Sequence, residues 1–421
     1  MRRRLPPVLQ QRDFALYWVL NVLRMLPLQM VAVAVGWQVY AIHRDPFDLG
    51  LIGIVEFVPL PLLALPAGQL ADRISRRLVL AISLLLSIAD VAGLLVVSIV
   101  GADRLWPFLA LAVGSGAAAA LGTPSGRALA PELLAPEELA TGMALRSIAN
   151  QVGVVAGPAL GGLLFAVAAE LVYGTALGFL AVALACTLAL HRRGGWAPVP
   201  GQAPSLAHLL GGISFLRRSR IVLGAIMLDL FAVLFGDAVA LLPVFARTIL
   251  HTGPIGLGIL RSAPAVGALV AGALLTRRAS LGRAGPTLLG VVALFGASMV
   301  VFGLSRSFPL SLCALAISGF ADMVSVNIRS TTVALATPDA LRGRVNSVEM
   351  VFISASNQLG AFESGAAAAL IGTVPAVVAG GAATIAVALL WKRFFPSLAR
   401  LDRLETLQPD VGAAAVALPS G

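Results

Sequence analysis

Lysine is nearly absent from this chain. Lys392 is its single occurrence in 421 residues, and Arg393 follows it, so no G-K-[ST] phosphate loop can be written. Two cysteines, Cys186 and Cys313, each lie inside an apolar segment, which argues against a disulfide framework or a thiolate metal site. Four histidines (His43, His191, His208 and His251) are scattered between apolar stretches. Neither H-E-x-x-H nor G-x-S-x-G is found. The expectation is a protein that is not an enzyme and needs no cofactor and no metal. Charged residues make up 12% of the chain and aromatics 6%; a soluble domain carries about twice that charged fraction.

What fills the chain instead is apolar surface, 58% of all residues with a mean hydropathy of +0.93. A soluble core cannot absorb so much, and lipid is its natural solvent. The net charge of +10 would suggest nucleic acid in a soluble protein. Here the arginines cluster at the ends of apolar stretches, as membrane orientation requires, so no nucleic-acid partner is expected.

Runs of roughly 18 to 25 apolar residues predict twelve spans. The first six lie near 14–42, 49–71, 78–101, 106–128, 142–168 and 171–190. The second six lie near 221–249, 255–276, 286–305, 309–336, 346–371 and 374–394. The first is read as a retained helix and not a signal peptide, because Arg24 and Pro27 interrupt it and no convincing cleavage site follows. Arginines at 2–4, 12, 73, 76–77, 192–193, 217–220, 277–283, 342, 344 and 393 fall on one side, which predicts cytoplasmic termini. The predicted organisation is an N-terminal six-helix bundle over 1–190, a Pro-, Gly- and Arg-rich linker over 191–220, a second bundle over 221–396, and a cytoplasmic tail over 397–421.

The halves resemble each other. PSGRALAPELLAPEELA (124–140) lies on VNIRSTTVALATPDALR (326–342) with Arg127 on Arg329 and Pro136 on Pro338. LGLIG at Leu49 matches IGLGI at Ile255, and GQLADR at Gly68 matches GALLTR at Gly272. Such internal similarity marks a repeat-built transporter.

Charges inside the spans are costly unless paired or hydrated. Arg24 and Glu56 reach similar depth and form one expected couple; Asp237 and Arg261 form another, each with a structural ion pair as the competing reading. Asp229 and Asp322 have no base nearby in sequence, and a carboxyl of that kind suits proton uptake and release because its charged form is expensive there. Asp90 is a weaker candidate of the same sort. Asn346 and Glu349 fit a helix N-cap with an acid at the third helical position. Trp37, Tyr40, Phe57, Phe231 and Phe235 could line an apolar cavity, against ordinary packing as the blander reading.

GQLADRISRR, from Gly68 to Arg77, resembles the signature between helices two and three of the major facilitator superfamily, with Ser75 replacing the second glycine. The resemblance implies a cytoplasmic gate built from Gly68, Asp72, Arg73, Arg76 and Arg127, with Asp72 meeting the start of helix eleven near Asn346. GVVAGPALGG, from Gly153 to Gly162, resembles the helix-five motif of drug-exporting antiporters, carried by Gly153, Gly157, Pro158, Gly161 and Gly162. The helix-four arginine of those antiporters is missing from LALAVGSGAAAA. ATPDALRGRVNSV and FPSLARLDRLE resemble the bacterial branch that exports siderophores and macrolides.

Together these imply an all-α integral membrane protein with the major facilitator fold: twelve transmembrane helices in two pseudo-symmetric six-helix bundles. The implied function is proton-driven efflux of a small amphipathic or hydrophobic compound, of siderophore or antibiotic class, across the bacterial inner membrane by a monomer. Its partners would be that substrate, protons and the bilayer. An uncoupled facilitator or lipid translocator of the same fold is the alternative within transport, and a non-transporting receptor the alternative outside it.

Overall fold

The computed structural model describes residues 6–63, 74–101, 103–191, 206–276 and 282–409. Gly68, Asp72 and Arg73 of the expected gate lie outside the described residues. The apolar runs become long helices: α1 (Arg12–His43), α2 (Pro46–Leu63), α3 (Arg76–Val100), α4 (Trp106–Leu133), α5 (Leu139–Phe165) and α6 (Ala169–Ala189). After a short helix, Leu206–Arg218, come α7 (Arg220–Ile249), α8 (Gly253–Leu275), α9 (Ala284–Leu304), α10 (Phe308–Ala336), α11 (Asp339–Ile371) and α12 (Thr373–Phe394). Among the described residues, eleven of these are long and apolar enough to cross a membrane. The twelfth, α11, is long enough but carries Arg342, Arg344, Glu349 and Glu363.

α11 corrects the N-cap reading of Asn346. Pro338, with φ −59° and ψ 148°, stands before the first helical residue, and Asp339 places an acid in the first turn, where the helix dipole favours it. The helix then runs unbroken for 33 residues, roughly 50 Å at 1.5 Å per residue. Asn346 and Glu349 are therefore interior positions of α11.

α7 is the least regular helix. Its first part ends at Gly236, and Asp237 adopts extended backbone (φ −83°, ψ 113°). A 3-10 turn, a three-residue helical piece containing Pro243 and a π turn over Phe245–Ile249 follow. Proline at 243 lacks the N–H and crowds the carbonyl four residues back. The Asp237 carboxylate accepts from Val239 N–H at 2.9 Å, restarting the chain as an Asx-type turn.

The residues group into two units. Unit 1 comprises Met1–Arg44, Val55–Ala203 and Ala246–Ser262; unit 2 comprises Asp45–Ile54, Pro204–Phe245 and Ala263–Gly421. Within unit 1, α1 packs on α5 and α6, and α3 packs on α4 and α6. Within unit 2, α7 packs on α11 and α12, and α9 packs on α10 and α12. Adding six to each helix number of the first set yields the second, so the sequence repeat is also a repeat of packing.

Small residues set these contacts. In α5, a Cβ on Gly153 would stand 2.3 Å from Met25 Cβ, and one on Gly161 2.8 Å from the Met30 backbone. Gly162 turns the other way, to the backbone of Pro254 and Gly258 at the start of α8. The start of α2 is treated alike in unit 2: a Cβ on Gly365 of α11 would stand 2.8 Å from Gly50 Cα. LGLIG and IGLGI are thus the segments at which the units take in chain from the other sequence half.

Arginines and the tail close helix ends. Arg77 donates to the Leu190 carbonyl at 2.6 Å and to that of Leu188, satisfying acceptors that the last turn of α6 cannot pair internally. At α9, the N–H groups of Ala284 and Gly285 donate to the carbonyls of Asp402 (2.9 Å) and Leu401 (2.8 Å). Leu398 beside them is fully buried.

Candidate functional site

In unit 1 a basic group forms around α1. Arg24 is roughly 18 Å along its helix from Arg12, near membrane mid-depth. Its guanidinium lies on α4, where a Cβ on Gly122 or Gly126 would stand 3.3 Å or 3.5 Å from its nitrogens. Tyr17 donates to the Gly126 carbonyl at 2.8 Å, Asn21 to the Tyr17 carbonyl at 2.7 Å, and Trp18 to the Leu145 carbonyl at 2.9 Å. The Tyr17 and Trp18 bonds register α1 against α4 and α5. Arg146, one residue past Leu145, and Arg127 of α4 lie within electrostatic reach of Arg24.

An acidic group lies deeper in the same unit. Glu56 accepts from Ser115 at 3.2 Å and is within electrostatic reach of Arg261 and Asp90. Asp90 is buried, and its Oδ1 has no hydrogen-bond partner. Glycines admit this arrangement: Gly116 brings α4 onto the Glu56 backbone, and Gly114 faces Asp90 Oδ1. Glu56 thus bonds Ser115 within electrostatic reach of Asp90 and Arg261, and Arg24 meets the glycine face of α4, so the two are not brought together as a couple. Asp237 and Arg261 fall in different units.

Unit 2 holds a buried ion pair instead. Asp229 of α7 contacts Arg329 of α10, and Glu349 of α11 lies 4.0 Å from Arg329 Nε. Asp229, Asp322 and Ser325 line a small cavity with Val233, Val292 and Phe295. Asp322 is solvent-accessible, whereas Asp229 is buried. Asp237 holds backbone: besides Val239 N–H, its carbonyl accepts from Ser364 at 2.9 Å.

Of the gate residues described, Arg76 pairs with Glu132 at 2.9 Å and donates to the Ala128 carbonyl at 3.0 Å, joining α3 to the end of α4. Arg127 is exposed one turn earlier. Among the aromatics, Trp37 meets Phe165 edge-on with ring centroids 6.5 Å apart, and Arg247 stands 5.3 Å over its ring. Tyr40 is buried and Phe57 half-buried. Phe231 stacks on Phe235 at 6.2 Å and meets Trp391 at 5.9 Å. Among the described residues no group of three or more His, Cys, Asp or Glu side chains is placed to hold a metal ion.

Sequence reasoning did not single out Arg146, Glu132 or Arg329 as site residues. For Arg329 a signal existed, since the internal repeat sets it on Arg127. Arg146 and Glu132 give no such signal, because their partners are distant in sequence.

The profile of the transmembrane secretion effector family matches residues 4–410. Enterobactin exporters of Shigella boydii and Escherichia coli are 26% identical over 408 residues, covering 95% of this chain and 95% of theirs. Among solved structures, a bacterial homologue of the iron transporter ferroportin in an inward-facing state superposes with a TM-score of 0.70 at 19% identity, covering 93% of this chain and 99% of that one. The nucleoside transporter NupG gives 0.68 at 14% identity, covering 91% and 99%. A profile match over nearly the whole chain, on a helix packing that repeats between two units, places this protein in the transmembrane secretion effector family of the major facilitator superfamily.

Proposed function

We propose that this transporter is an exporter of the bacterial inner membrane, moving a small amphipathic compound outwards as protons move in. The observation that carries the coupling is the pair Glu56–Asp90 in unit 1. Two carboxyls lie within electrostatic reach of each other with Arg261 in reach of Glu56, and one oxygen of Asp90 is buried without a hydrogen-bond partner. Burying a second negative charge there is costly, so the pair suits one shared proton taken up and given back in each cycle. Asp322, accessible on its cavity, is the second candidate carrier. Asp229 is the least suited, because Arg329 already compensates its charge.

In the proposed cycle the Glu56–Asp90 pair takes a proton from outside and substrate leaves. Reorientation then releases the proton to the cytoplasm. Asp72 latches the cytoplasmic side, Arg76 and Arg127 brace it, and the glycines of α5 set the close packing that reorientation must alter. Cytoplasmic termini and a monomeric working unit complete the reading. The names of the relatives favour a siderophore as cargo, with a macrolide as the competing class.

The test is uptake of enterobactin and of a macrolide into proteoliposomes holding the purified protein. A pH gradient of the correct sign should accelerate uptake of one of them. A rate indifferent to the gradient rejects the coupling.

A further inference from the structure

Arg24, Arg127 and Arg146 converge from three helices of unit 1. By helix rise, Arg127 lies roughly 9 Å from the end of α4 and Arg146 roughly 10 Å from the start of α5. Arg24, roughly 18 Å along α1, continues them inward from the same end of the bundle. The three lie within electrostatic reach of one another.

Among the described residues, no carboxylate stands within 4 Å of Arg24 or Arg146. Three described acids at this end are engaged elsewhere: Glu132 by Arg76 at 2.9 Å, Glu138 by Gln11 at 2.7 Å, and Asp13 by His191 at 3.7 Å. Polar atoms on the adjoining helix faces are orphaned as well. Arg146 Nε, Asn150 Oδ1 and Ser125 Oγ are buried without a hydrogen-bond partner. Buried polar groups are nearly always satisfied, and uncompensated charges at membrane depth are rare and functional. The guanidinium of Arg24 lies on the glycine face of α4 at Gly122 and Gly126, beside the Ser83 side chain. Its planar fork suits a carboxylate, sulfonate or phosphate.

We propose that Arg24 and Arg146, with Arg127 nearest the membrane face, form a binding track for an organic anion. That the anion is the transported cargo rests on the transporter reading above; its binding does not.

The test uses purified protein in nanodiscs of zwitterionic lipid, with three matched probes: 1-naphthoate, 1-naphthamide and 1-naphthylmethylammonium. Calorimetric titration should give naphthoate at least a tenfold lower Kd than either other probe. Arg24→Gln and Arg146→Gln should each erase most of that preference, and Arg24→Lys should keep part of it. The Arg24→Gln protein without ligand should melt higher than the wild type, because a charge with no carboxylate beside it among the described residues is gone. Nanodiscs rich in phosphatidylglycerol separate the two sources of such an anion. A tenfold weakening of naphthoate there supports the track with a lipid headgroup as occupant, and an unchanged Kd supports it with a soluble anion.

Equal affinities for the three probes, or a preference that survives both substitutions, overturns the proposal. So does an Arg24→Gln protein that melts lower with its preference intact, since the arginine is then structural. Transport that ignores the pH gradient while the preference stands rejects proton coupling alone.

Discussion

The carbonyl oxygen of Pro158 stands 2.4 Å from the point a Cβ on Gly258 would occupy. Nothing flexible lies between them, so the contact is backbone against backbone.

Gly258→Ala should therefore force α5 and α8 apart and cost about 1–3 kcal/mol, read as a lower melting temperature in detergent. Gly178→Ala on α6, where a Cβ would meet nothing within 4 Å, is the control. It should gain up to about 1 kcal/mol from helix propensity. Equal effects at both positions would mean that the close approach carries no energy.

Arg329→Gln leaves both Asp229 and Glu349 without their cation and should destabilise the protein by about 3–5 kcal/mol, whereas Asp229→Asn leaves Arg329 with Glu349 at 4.0 Å and should cost less. Adding Asp229→Asn to Arg329→Gln should recover part of the larger loss. Thermal melts of the three proteins decide it. Transport by the double variant should keep its response to a pH gradient.

Glu56→Gln and Asp90→Asn should behave differently. Either should abolish uptake driven by a pH gradient while substrate exchange at equal pH persists. Exchange lost together with driven uptake would indicate a structural or substrate-binding role for the pair.

A stop after Phe395 removes the carbonyls of Leu401 and Asp402, leaving two N–H groups of α9 without partners. Each such loss costs about 1–3 kcal/mol when buried, and Leu398 is lost from the core as well. A stop after Pro409 keeps all three groups and should melt like the full chain.

Much of this architecture was legible because lipid imposes it. Apolar runs of spanning length mark the helices, and LGLIG and IGLGI mark the matching close approaches of Gly50 and Gly258. α11 was misread at its start. Hydropathy registers only the part of a helix that suits lipid, whereas Asp339 to Val345 continue the same helix with charged residues. Glu349 then looked like a cap when it belongs beside Arg329, on a helix that precedes its own. The partners of Arg24 were illegible for a related reason. They are glycines of α4 about a hundred residues on, chosen by helix packing and not by any local pattern.

The composition of the two units has a consequence for biogenesis. Unit 1 includes Ala246–Ser262, so the first six helices cannot finish packing when the ribosome has delivered only them. Gly162 and the Pro158 carbonyl of α5 must wait, uncovered, until α8 is synthesised. Gly50 and its neighbours must likewise wait for α11. Insertion can proceed helix by helix, but maturation is postponed to the last third of translation, and a chain released early leaves both halves open to degradation.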